Sequence, residues 1–289
     1  MPELNFKPLK ECELRANSYF SDKICLLLVY HSHTLSTSAN ALREGEGKQK
    51  REKQMRLKKP TGYILHHGQI GSHPYVAVLT LNTANRKTGN MAQIWFLLTE
   101  VNPVEAVKIG LDAQTICREC PFSAGNGCYV NVGQAPLAVF KAFKRGRYEE
   151  LIPARYAAVL SGRKIRFGAY GNPTLLPISK VKALAAVSEG WTGYFHDWKT
   201  NPYAAEYAKY FMASTETQSS LALANRLGFR SFHVSPVKPA ESMECLSDAK
   251  GLTCAQCKLC AGLSKERMPS IWINPHGTKQ SKASAAAMA

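Results

Sequence analysis

The sequence lacks any long apolar run and is short of acidic residues. No stretch reaches the ~18 apolar residues that a membrane helix needs. The apolar segment 24–30 is also not followed by the small-residue cleavage site of a secretory signal. We therefore expect neither membrane insertion nor secretion. The 21 acidic residues stand against 37 lysines and arginines, a net charge of +16. This imbalance favours a polyanionic partner, and nucleic acid is the expected one. The sequence does not indicate an oligomeric state.

Cysteine is plentiful, and its pattern excludes a simple disulfide framework. The nine cysteines are odd in number, and seven of them fall in two groups. The upstream group is Cys117, Cys120 and Cys128, and the downstream group is Cys245, Cys254, Cys257 and Cys260. A chain of 289 residues does not need closely spaced thiols to fill its core. We therefore predict metal thiolates in a reducing cytoplasm.

The two groups offer different numbers of ligands. Four downstream thiolates could close a tetrahedral zinc site or hold a four-iron cluster. In an alternative zinc site, His276 joins Cys254, Cys257 and Cys260 and leaves Cys245 outside. Three upstream thiolates leave one coordination position open, as catalytic sites require. The alternative is a structural zinc completed by a distant ligand such as His66, His67, Cys12 or Cys25. The division into three and four favours iron–sulfur clusters over zinc, although neither group has the C-x3-C-x2-C spacing of radical S-adenosylmethionine enzymes.

Strand and helix patterns alternate along most of the chain. Strands are predicted at 75–81, 91–98, 164–170, 191–196, 210–214, 229–234 and 270–274, and helices at 103–109, 134–147, 177–188 and 216–227. This rhythm predicts an α/β fold with parallel strands, a full or partial β/α (TIM-like) barrel first and a doubly wound sheet second. We expect a poorly ordered basic extension at 1–60, a barrel-like domain at 61–280 and a loose tail at 281–289.

Polar residues at the ends of predicted strands are further site candidates, because β/α folds build their sites there. Arg166, Tyr170 and Asn172 could bind substrate. His196 and Asp197 could serve as acid–base groups, and Trp198 could stack on a base. Glu216 is another acid–base candidate, although the surrounding Ser-Thr-Glu-Thr sequence also fits the start of a helix. None of these residues has a motif around it that excludes an ordinary structural role.

Several segments in combination resemble an uncharacterised family encoded by phages and prophages. They are Thr88-Gly-Asn-Met-Ala-Gln, Cys117-Arg-Glu-Cys-Pro, Cys128-Tyr-Val-Asn-Val-Gly-Gln, Arg166-Phe-Gly-Ala-Tyr-Gly-Asn-Pro, Trp191-Thr-Gly-Tyr, Thr253-Cys-Ala-Gln-Cys-Lys-Leu-Cys and Pro275-His-Gly. The match covers residues 82–279. The chain is more distantly similar to the phage gene 88 proteins. The resemblance implies a phage or mobile-element setting and a barrel-like fold, but no known reaction.

These observations lead to three functional hypotheses. The first is a metal-cluster enzyme acting on nucleic acid or a nucleotide precursor, for example in DNA base modification. In its radical form, the upstream thiols hold an open cluster that binds S-adenosylmethionine, and the downstream thiols hold a closed one. The second is a zinc-containing base-exchange transglycosylase of the queuine type, for which only Asp197 is a well-placed carboxylate. The third is a non-enzymatic, zinc-stabilised nucleic-acid-binding protein.

Overall fold

Short apolar segments rich in β-branched and aromatic residues form the strands of the computed structural model, which describes residues 60–83, 85–265, 268–276 and 279–288. Within these ranges the strands are β1 (Gly62–Ile70), β2 (His73–Thr80), β3 (Met91–Leu98), β4 (Glu149–Glu150), β5 (Lys164–Tyr170), β6 (Gly190–Thr192), β7 (Tyr194–Phe195), β8 (Met212–Thr215), β9 (Ser231–Val234), β10 (Met243–Glu244) and β11 (Ile271–Ile273). The predicted extension 1–60 lies, except for Pro60, outside the described residues.

The helices are short and mostly connect the strands. They are α1 (Pro103–Lys108), α2 (Leu111–Gln114), α3 (Ala135–Lys144), α4 (Tyr156–Leu160), α5 (Ile178–Val187), α6 (Ala204–Ala208), α7 (Gln218–Arg226), α8 (Leu246–Lys250), α9 (Cys254–Cys257) and α10 (Gln280–Met288). Single 3₁₀ turns occur at Pro153–Arg155, Pro173–Leu175, Asp197–Lys199 and Gly262–Lys265. In the described part of the chain, no helix has both the length and the apolar character needed to cross a bilayer.

The strands form two sheets. The first has the order β4-β1-β2-β3-β5-β6, in which β1, β2 and β3 are antiparallel and β3, β5 and β6 are parallel. The second has the order β10-β11-β9-β8-β7 and is parallel throughout. The chain is therefore mixed α/β with two parallel-rich sheets, which confirms the predicted fold class at that level. The predicted strands at 75–81 and 91–98 correspond to β2 and β3, which are antiparallel neighbours.

Gly193 alone separates β6 from β7, so one stretch of chain passes from the first sheet to the second. Its N–H donates to the Cys260 carbonyl at 2.9 Å, and its carbonyl accepts from the Met212 N–H at 3.0 Å. A Cβ at this position would lie 2.8 Å from Phe211 Cδ1 and 3.2 Å from Phe167 Cβ. Glycine is therefore required by close packing where the strand changes sheet. The sequence predicted one unbroken strand at 191–196.

Two further segments differ from the sequence prediction. β1 was not predicted, although its first four residues are buried and it pairs with β2 from end to end except at an irregularity at Leu65. The segment predicted as a loose tail contains helix α10 instead. Ala283 and Ala287 on this helix are buried, and the backbone of Ala283 lies against Gly127. The small residues of α10 allow this close approach, which positions the helix beside the upstream cysteines.

Candidate functional site

A cavity of about 180 Å³ is lined by residues from both sheets. Successive side chains of a strand alternate between its two faces, so residues two apart share a face. Most of the strand residues that line the cavity follow this rule, with Ala169 as an exception on β5. Its wall includes Arg166, Gly168 and Tyr170 from β5, Thr192, Tyr194 and His196 from the β6–β7 stretch, Ser214 from β8, Phe232 and Val234 from β9, and Ile273 from β11. The parallel strands thus place polar groups from several segments around one space.

All three upstream cysteines line this cavity. The loop that carries them follows α2, and the Cys117 N–H donates to the Asp112 carbonyl at 2.8 Å. The Asn172 N–H, just beyond β5, donates to the Ile116 carbonyl at 2.7 Å. Cys128 closes the loop through its N–H, which donates to the Phe122 carbonyl at 2.9 Å. These bonds hold the loop against the carboxyl end of β5, where β/α folds place their functional groups.

An ion pair between a partly exposed arginine and a buried carboxylate fixes the middle of the upstream loop. Arg118 lies between the first two cysteines with a φ of 44°, and its Nη1 donates to Asp197 Oδ2 at 2.9 Å. The same oxygen accepts from Thr174 Oγ1 at 2.9 Å and from Asn201 Nδ2 at 3.1 Å. Asp197 is only 2% exposed and is not among the residues that line the cavity. The structure therefore gives this predicted catalytic residue an anchoring position behind the loop.

Cys117 is buried, Cys120 and Cys128 are partly buried, and the three thiols lie close to one another. Burial raises the pKa of Cys117, Cys120 and Cys128, and neighbouring thiols raise those of Cys117 and Cys120 further. Cys117 Sγ donates to Asp112 Oδ2 at 3.8 Å, and burial also raises the pKa of that carboxyl. Asp112 Oδ1 has no hydrogen-bond partner in the described part of the chain. Without a cation among them, these thiols stay protonated at neutral pH.

The downstream cysteines lie on two connected segments. The Cys245 N–H, directly after β10, donates to the Trp272 carbonyl at 2.8 Å. Helix α9 begins at a Thr253 cap, and the Cys254 N–H donates to the Lys87 carbonyl at 3.0 Å. Lys258 follows with a φ of 55°, which turns the chain back before Cys260. These contacts bring Cys245, Cys254 and Cys260 to the cavity, while Cys257 is not among its lining residues.

Arg230 secures the chain that follows the downstream group. Its guanidinium donates to four main-chain carbonyls at 2.8–2.9 Å, those of Leu259, Gly262, Met268 and Pro269. Burial raises the pKa of Cys260, and Cys245, Cys254 and Cys257 raise it further. The four downstream thiols are therefore neighbours in space as well as in sequence.

The donor chemistry of both groups fits a soft metal or an iron–sulfur cluster, because thiolate is the ligand that these prefer. Their side chains do not converge to coordination distance. Within the described ranges, no three Cys, His, Asp or Glu side chains form a group that could hold an ion. The seven grouped thiols are all free, with none in a disulfide. The loops therefore supply suitable ligands near one another, and binding would require side-chain rotation.

His276, the histidine predicted as a metal ligand, lines the cavity beside Lys87. Its Nε2 lies 3.0 Å from Lys87 Nζ, and its Nδ1 lies 3.0 Å from the Asn274 carbonyl. Because an ammonium can only donate, Nε2 accepts and the imidazole proton resides on Nδ1. The ring also stacks on Tyr129, with 6.3 Å between centroids. A metal at Nε2 would have to displace Lys87.

Arg166 is the central polar residue of the cavity. It is 5% exposed, and its Nη2 donates to Tyr129 Oη at 2.7 Å and to Tyr194 Oη at 2.5 Å. The guanidinium carbon also lies 5.0 Å from the Tyr194 ring centroid. In the described part of the chain, no carboxylate lies within 4.0 Å of Arg166. It is therefore a buried cation that two phenols, but no anion, contact.

Several polar atoms in the cavity wall have no hydrogen-bond partner among the described residues. They are Tyr170 Oη, Thr192 Oγ1 and His196 Nδ1. Burial lowers the pKa of His196 to about 4, so its ring is neutral at pH 7. Both amide atoms of Asn172, at the end of β5, are likewise buried and without a partner. Asn172 is not among the cavity-lining residues, so the unpaired atoms of the wall are those of Tyr170, Thr192 and His196. Native proteins seldom leave such atoms unpaired, so these three are the positions at which ordered water or a ligand would be bound.

The remaining predicted residues have structural contacts. Trp198 is 2% exposed, and its Nε1 donates to the Ser214 carbonyl at 2.6 Å, so it packs in the core and presents no surface for stacking. Glu216 Oε1 accepts from Ser214 Oγ at 2.9 Å, and burial raises the pKa of its carboxyl. The adjacent Thr217 caps α7. Glu216 thus lies behind Ser214, at the edge of the site.

Many cavity residues were missed by sequence reasoning, among them Lys87, Tyr129, Thr192 and Tyr194. The signal that could have identified Thr192 and Tyr194 was a polar alternation. Every second residue of β5 from Arg166 to Tyr170 lines the cavity. The same spacing recurs from Thr192 to His196, in the stretch of chain that begins with the neighbouring strand β6. Tyr129 gave no such signal because it lies in a loop.

Comparison of the chain with protein-family models, curated proteins and solved structures found no match. The resemblance to phage and prophage proteins therefore stays a prediction.

Proposed function

We propose that the protein is a metal-cluster enzyme whose two cysteine groups hold iron–sulfur clusters beside one substrate cavity. The observation that carries this proposal is that six of the seven grouped cysteines, from segments more than a hundred residues apart, line the same space. Structural zinc sites are normally closed and need no adjoining cavity, whereas a catalytic centre needs room for a second ligand. The proposed substrate is nucleic acid or a nucleotide precursor, as in DNA base modification in a phage setting.

In this proposal, Cys117, Cys120 and Cys128 hold an open cluster, and Cys245, Cys254, Cys257 and Cys260 hold a closed one. A bound cluster with an open position supplies one-electron chemistry, with S-adenosylmethionine as the candidate co-substrate. Asp197 positions the open site from behind through Arg118. His196, neutral at pH 7, can accept a proton from the ligand at its unpartnered nitrogen. Arg166 and Tyr170 line the cavity as polar binding groups.

We also propose that the two sheets curve around the cavity as a partial barrel. The support is the continuous chain through Gly193 and the contribution of strands from both sheets to one cavity wall. A partial barrel leaves the wall open to loops, and this suits a site built largely from cysteine-bearing loops. The antiparallel β1–β2–β3 arrangement departs from an ordinary β/α barrel.

The contacts of Asp197 count against a base-exchange transglycosylase. That chemistry needs a carboxylate that can reach the substrate as a nucleophile. Asp197 is buried, three donors occupy its Oδ2, and it does not line the cavity.

Metal analysis of protein purified without oxygen tests the proposal. We expect iron and acid-labile sulfide in amounts that fit two clusters, with a visible absorption band lost on oxidation. Zinc alone would instead support a zinc-stabilised binding protein. Protein that contains neither iron nor zinc would contradict both the iron–sulfur proposal and the zinc alternative.

Cysteine variants assign the metal to each group. The triple Cys117→Ser/Cys120→Ser/Cys128→Ser variant should lose the metal of the upstream group. The quadruple Cys245→Ser/Cys254→Ser/Cys257→Ser/Cys260→Ser variant should lose the metal of the downstream group. The matched control is Cys12→Ser/Cys25→Ser, which changes the two cysteines outside both groups and should keep the full metal content.

A further inference from the structure

The cavity contains a positive charge that the described protein does not neutralise. Two residues with cationic side chains, Lys87 and Arg166, are among its lining residues. Lys87 Nζ lies 2.8 Å from Asp248 Oδ1 and is thereby paired. Arg166 is more deeply buried and contacts only the phenols of Tyr129 and Tyr194. Burying an unpaired charge is costly, so a site that keeps one usually binds an anion.

Arg166 has unused donor atoms, and hydroxyls without a hydrogen-bond partner among the described residues line the same cavity. Both contacts to the tyrosines use Nη2, and within the described residues Nε and Nη1 have no hydrogen-bond partner. Thr192 is the direct register partner of Arg166 on the neighbouring parallel strand, so both side chains emerge side by side. Thr192 Oγ1 is buried without a partner, as is Tyr170 Oη farther along β5. A guanidinium fork flanked by hydroxyl donors matches the geometry of a carboxylate or phosphate.

We infer that Arg166, with Thr192 and Tyr170, forms a binding subsite for the oxyanion group of a small molecule, a carboxylate or a phosphate. The cavity of about 180 Å³ is smaller than the ~300–1,000 Å³ of typical ligand pockets. It therefore suits a small molecule or one end of a larger one. This inference deepens the proposed function and rests on it, because it selects a small anionic substrate such as a nucleotide precursor for the same cavity.

A competing explanation is that Arg166 only offsets the negative charge of metal-bound thiolates, since Cys254 and Cys260 lie near it. The two explanations differ in what happens when an oxyanion is added. A subsite binds it saturably, whereas a charge already offset by thiolates does not.

Equilibrium dialysis of the full chain, purified without oxygen, tests the subsite with inorganic phosphate, acetate, and deoxycytidine 5′-monophosphate against uncharged deoxycytidine at matched ionic strength. We expect one saturable site for phosphate or acetate, and tighter binding of the monophosphate than of deoxycytidine if phosphate is preferred. Acetate binding more tightly than phosphate would identify a carboxylate ligand. Absence of saturable binding for every anion would overturn the inference.

Variants locate the binding. Arg166→Lys keeps the charge but loses the fork, and we expect about tenfold weaker binding. Thr192→Val has nearly the same shape and removes a hydroxyl that makes no described hydrogen bond. It should fold like the wild type and bind the anion a few-fold more weakly, and it decides the question if Arg166→Lys does not fold. The control is Arg226→Gln on the exposed face of α7, which should bind like the wild type. Equal affinities in all variants would overturn the inference.

Metal content measured on the same samples separates the two proposals. If the wild type purified without oxygen contains no metal but still binds the anion saturably, the metal proposal is overturned and the Arg166 subsite remains in place. A chain with its full metal content but without saturable anion binding would overturn the subsite alone. A lower metal content in Arg166→Lys, together with no anion binding by the wild type, would show that Arg166 serves the thiolates.

Discussion

Asp197 is a buried carboxylate whose three donors come from three separate segments of the chain. Its ion pair with Arg118 ties the first two cysteines to the 3₁₀ turn after β7. His196, the preceding residue, faces the cavity. Asp197 thus supports the site from behind, and His196 lines it. The sequence showed both residue types but not which of the two faces the ligand.

Replacing Asp197 with asparagine should loosen the upstream loop. The change preserves shape but removes the charge that Arg118 pairs with, and hydrogen bonds to charged groups contribute about 1.5–3 kcal/mol each. Because the Arg118 side chain is 38% exposed, water can solvate its charge in the variant. We therefore expect a loss of about 1–3 kcal/mol in the free energy of unfolding, measured by urea titration, together with a lower metal content in the upstream group only.

The control is Glu149→Gln, which breaks the exposed ion pair with Arg155. Exposed pairs contribute only ~0–1 kcal/mol, so this variant should unfold almost like the wild type. Equal losses in the free energy of unfolding would show that Asp197 stabilises the upstream loop no more than an exposed ion pair does.

The neutral state of His196 predicts a pH dependence of stability. Its pKa is about 4 in the folded chain, against an ordinary value of 6.5. Between these values the unfolded chain binds a proton that the folded chain does not, so stability falls as the pH falls from 6.5 toward 4. His196→Gln should reduce this slope by up to one proton, ~1.4 kcal/mol per pH unit. Urea titrations at several pH values, with metal content matched, measure it.

The comparison above pH 7 is the internal control, because His196 is neutral there in both states. A variant whose slope between pH 6.5 and 4 equals that of the wild type would contradict the prediction. His233, with a pKa lowered by burial to about 4, should keep part of the slope in the variant.

At the scale of elements, the largely buried central strands of the first sheet could be predicted from sequence. β3 is buried at all eight positions, and both β3 and β5 have the predicted bounds. β1 escaped prediction because His66, His67 and Gly68 interrupt its apolar run. Helix α10 escaped because its alanines carry no apolar pattern, and their burial depends on a glycine far away in sequence. Such contacts between distant segments cannot be read from local periodicity.

The close packing at Gly193 predicts that one added methyl group at this position destabilises the fold. A Cβ there would lie 2.8 Å from Phe211 Cδ1, and Phe211 is fully buried and cannot move away freely. Gly193→Ala should therefore destabilise the chain by about 1–3 kcal/mol, the usual range for overpacking. It should also disturb the Cys260 contact and lower the downstream metal content. Urea titration and metal analysis measure both effects.

The matched control is Gly133→Ala at an exposed loop position, where the nearest atom to an added Cβ is Asn131 Oδ1 at 3.4 Å. This variant should be close to neutral. If Gly193→Ala is equally neutral, the two sheets do not depend on this close packing.

At the scale of the whole molecule, one cavity unites features that the sequence scattered over more than 150 residues. The thiols were identifiable from their spacing alone. Their convergence on Arg166 was not, because it depends on sheet order and on the passage of the chain through Gly193. The charge of the chain was equally visible in the sequence, and the structure shows where part of it lies. Lys141, Lys144, Arg145 and Arg147, at the end of α3 and just beyond it, are all exposed.

This exposed basic cluster predicts salt-dependent binding of nucleic acid. Lysines and arginines that meet phosphates release counterions, and each contact adds about 0.9 to the slope of log affinity against log salt on duplex DNA. Lys141→Gln/Arg145→Gln/Arg147→Gln should lower both affinity and slope in fluorescence-anisotropy titrations. The control is Lys182→Gln/Lys209→Gln, whose lysines already pair with Glu206. A triple variant with an unchanged slope would exclude α3 from the contact.

The packing of α10 on Gly127 has a consequence for the order in which the protein matures. Cys128 leaves the ribosome well before Ala283, and at about 5–20 residues per second the interval is roughly eight to thirty seconds. During that time the upstream thiols have no helix α10 beside them. We therefore expect these thiols to be more accessible to a metal-delivery protein before α10 is made than after it has packed on Gly127.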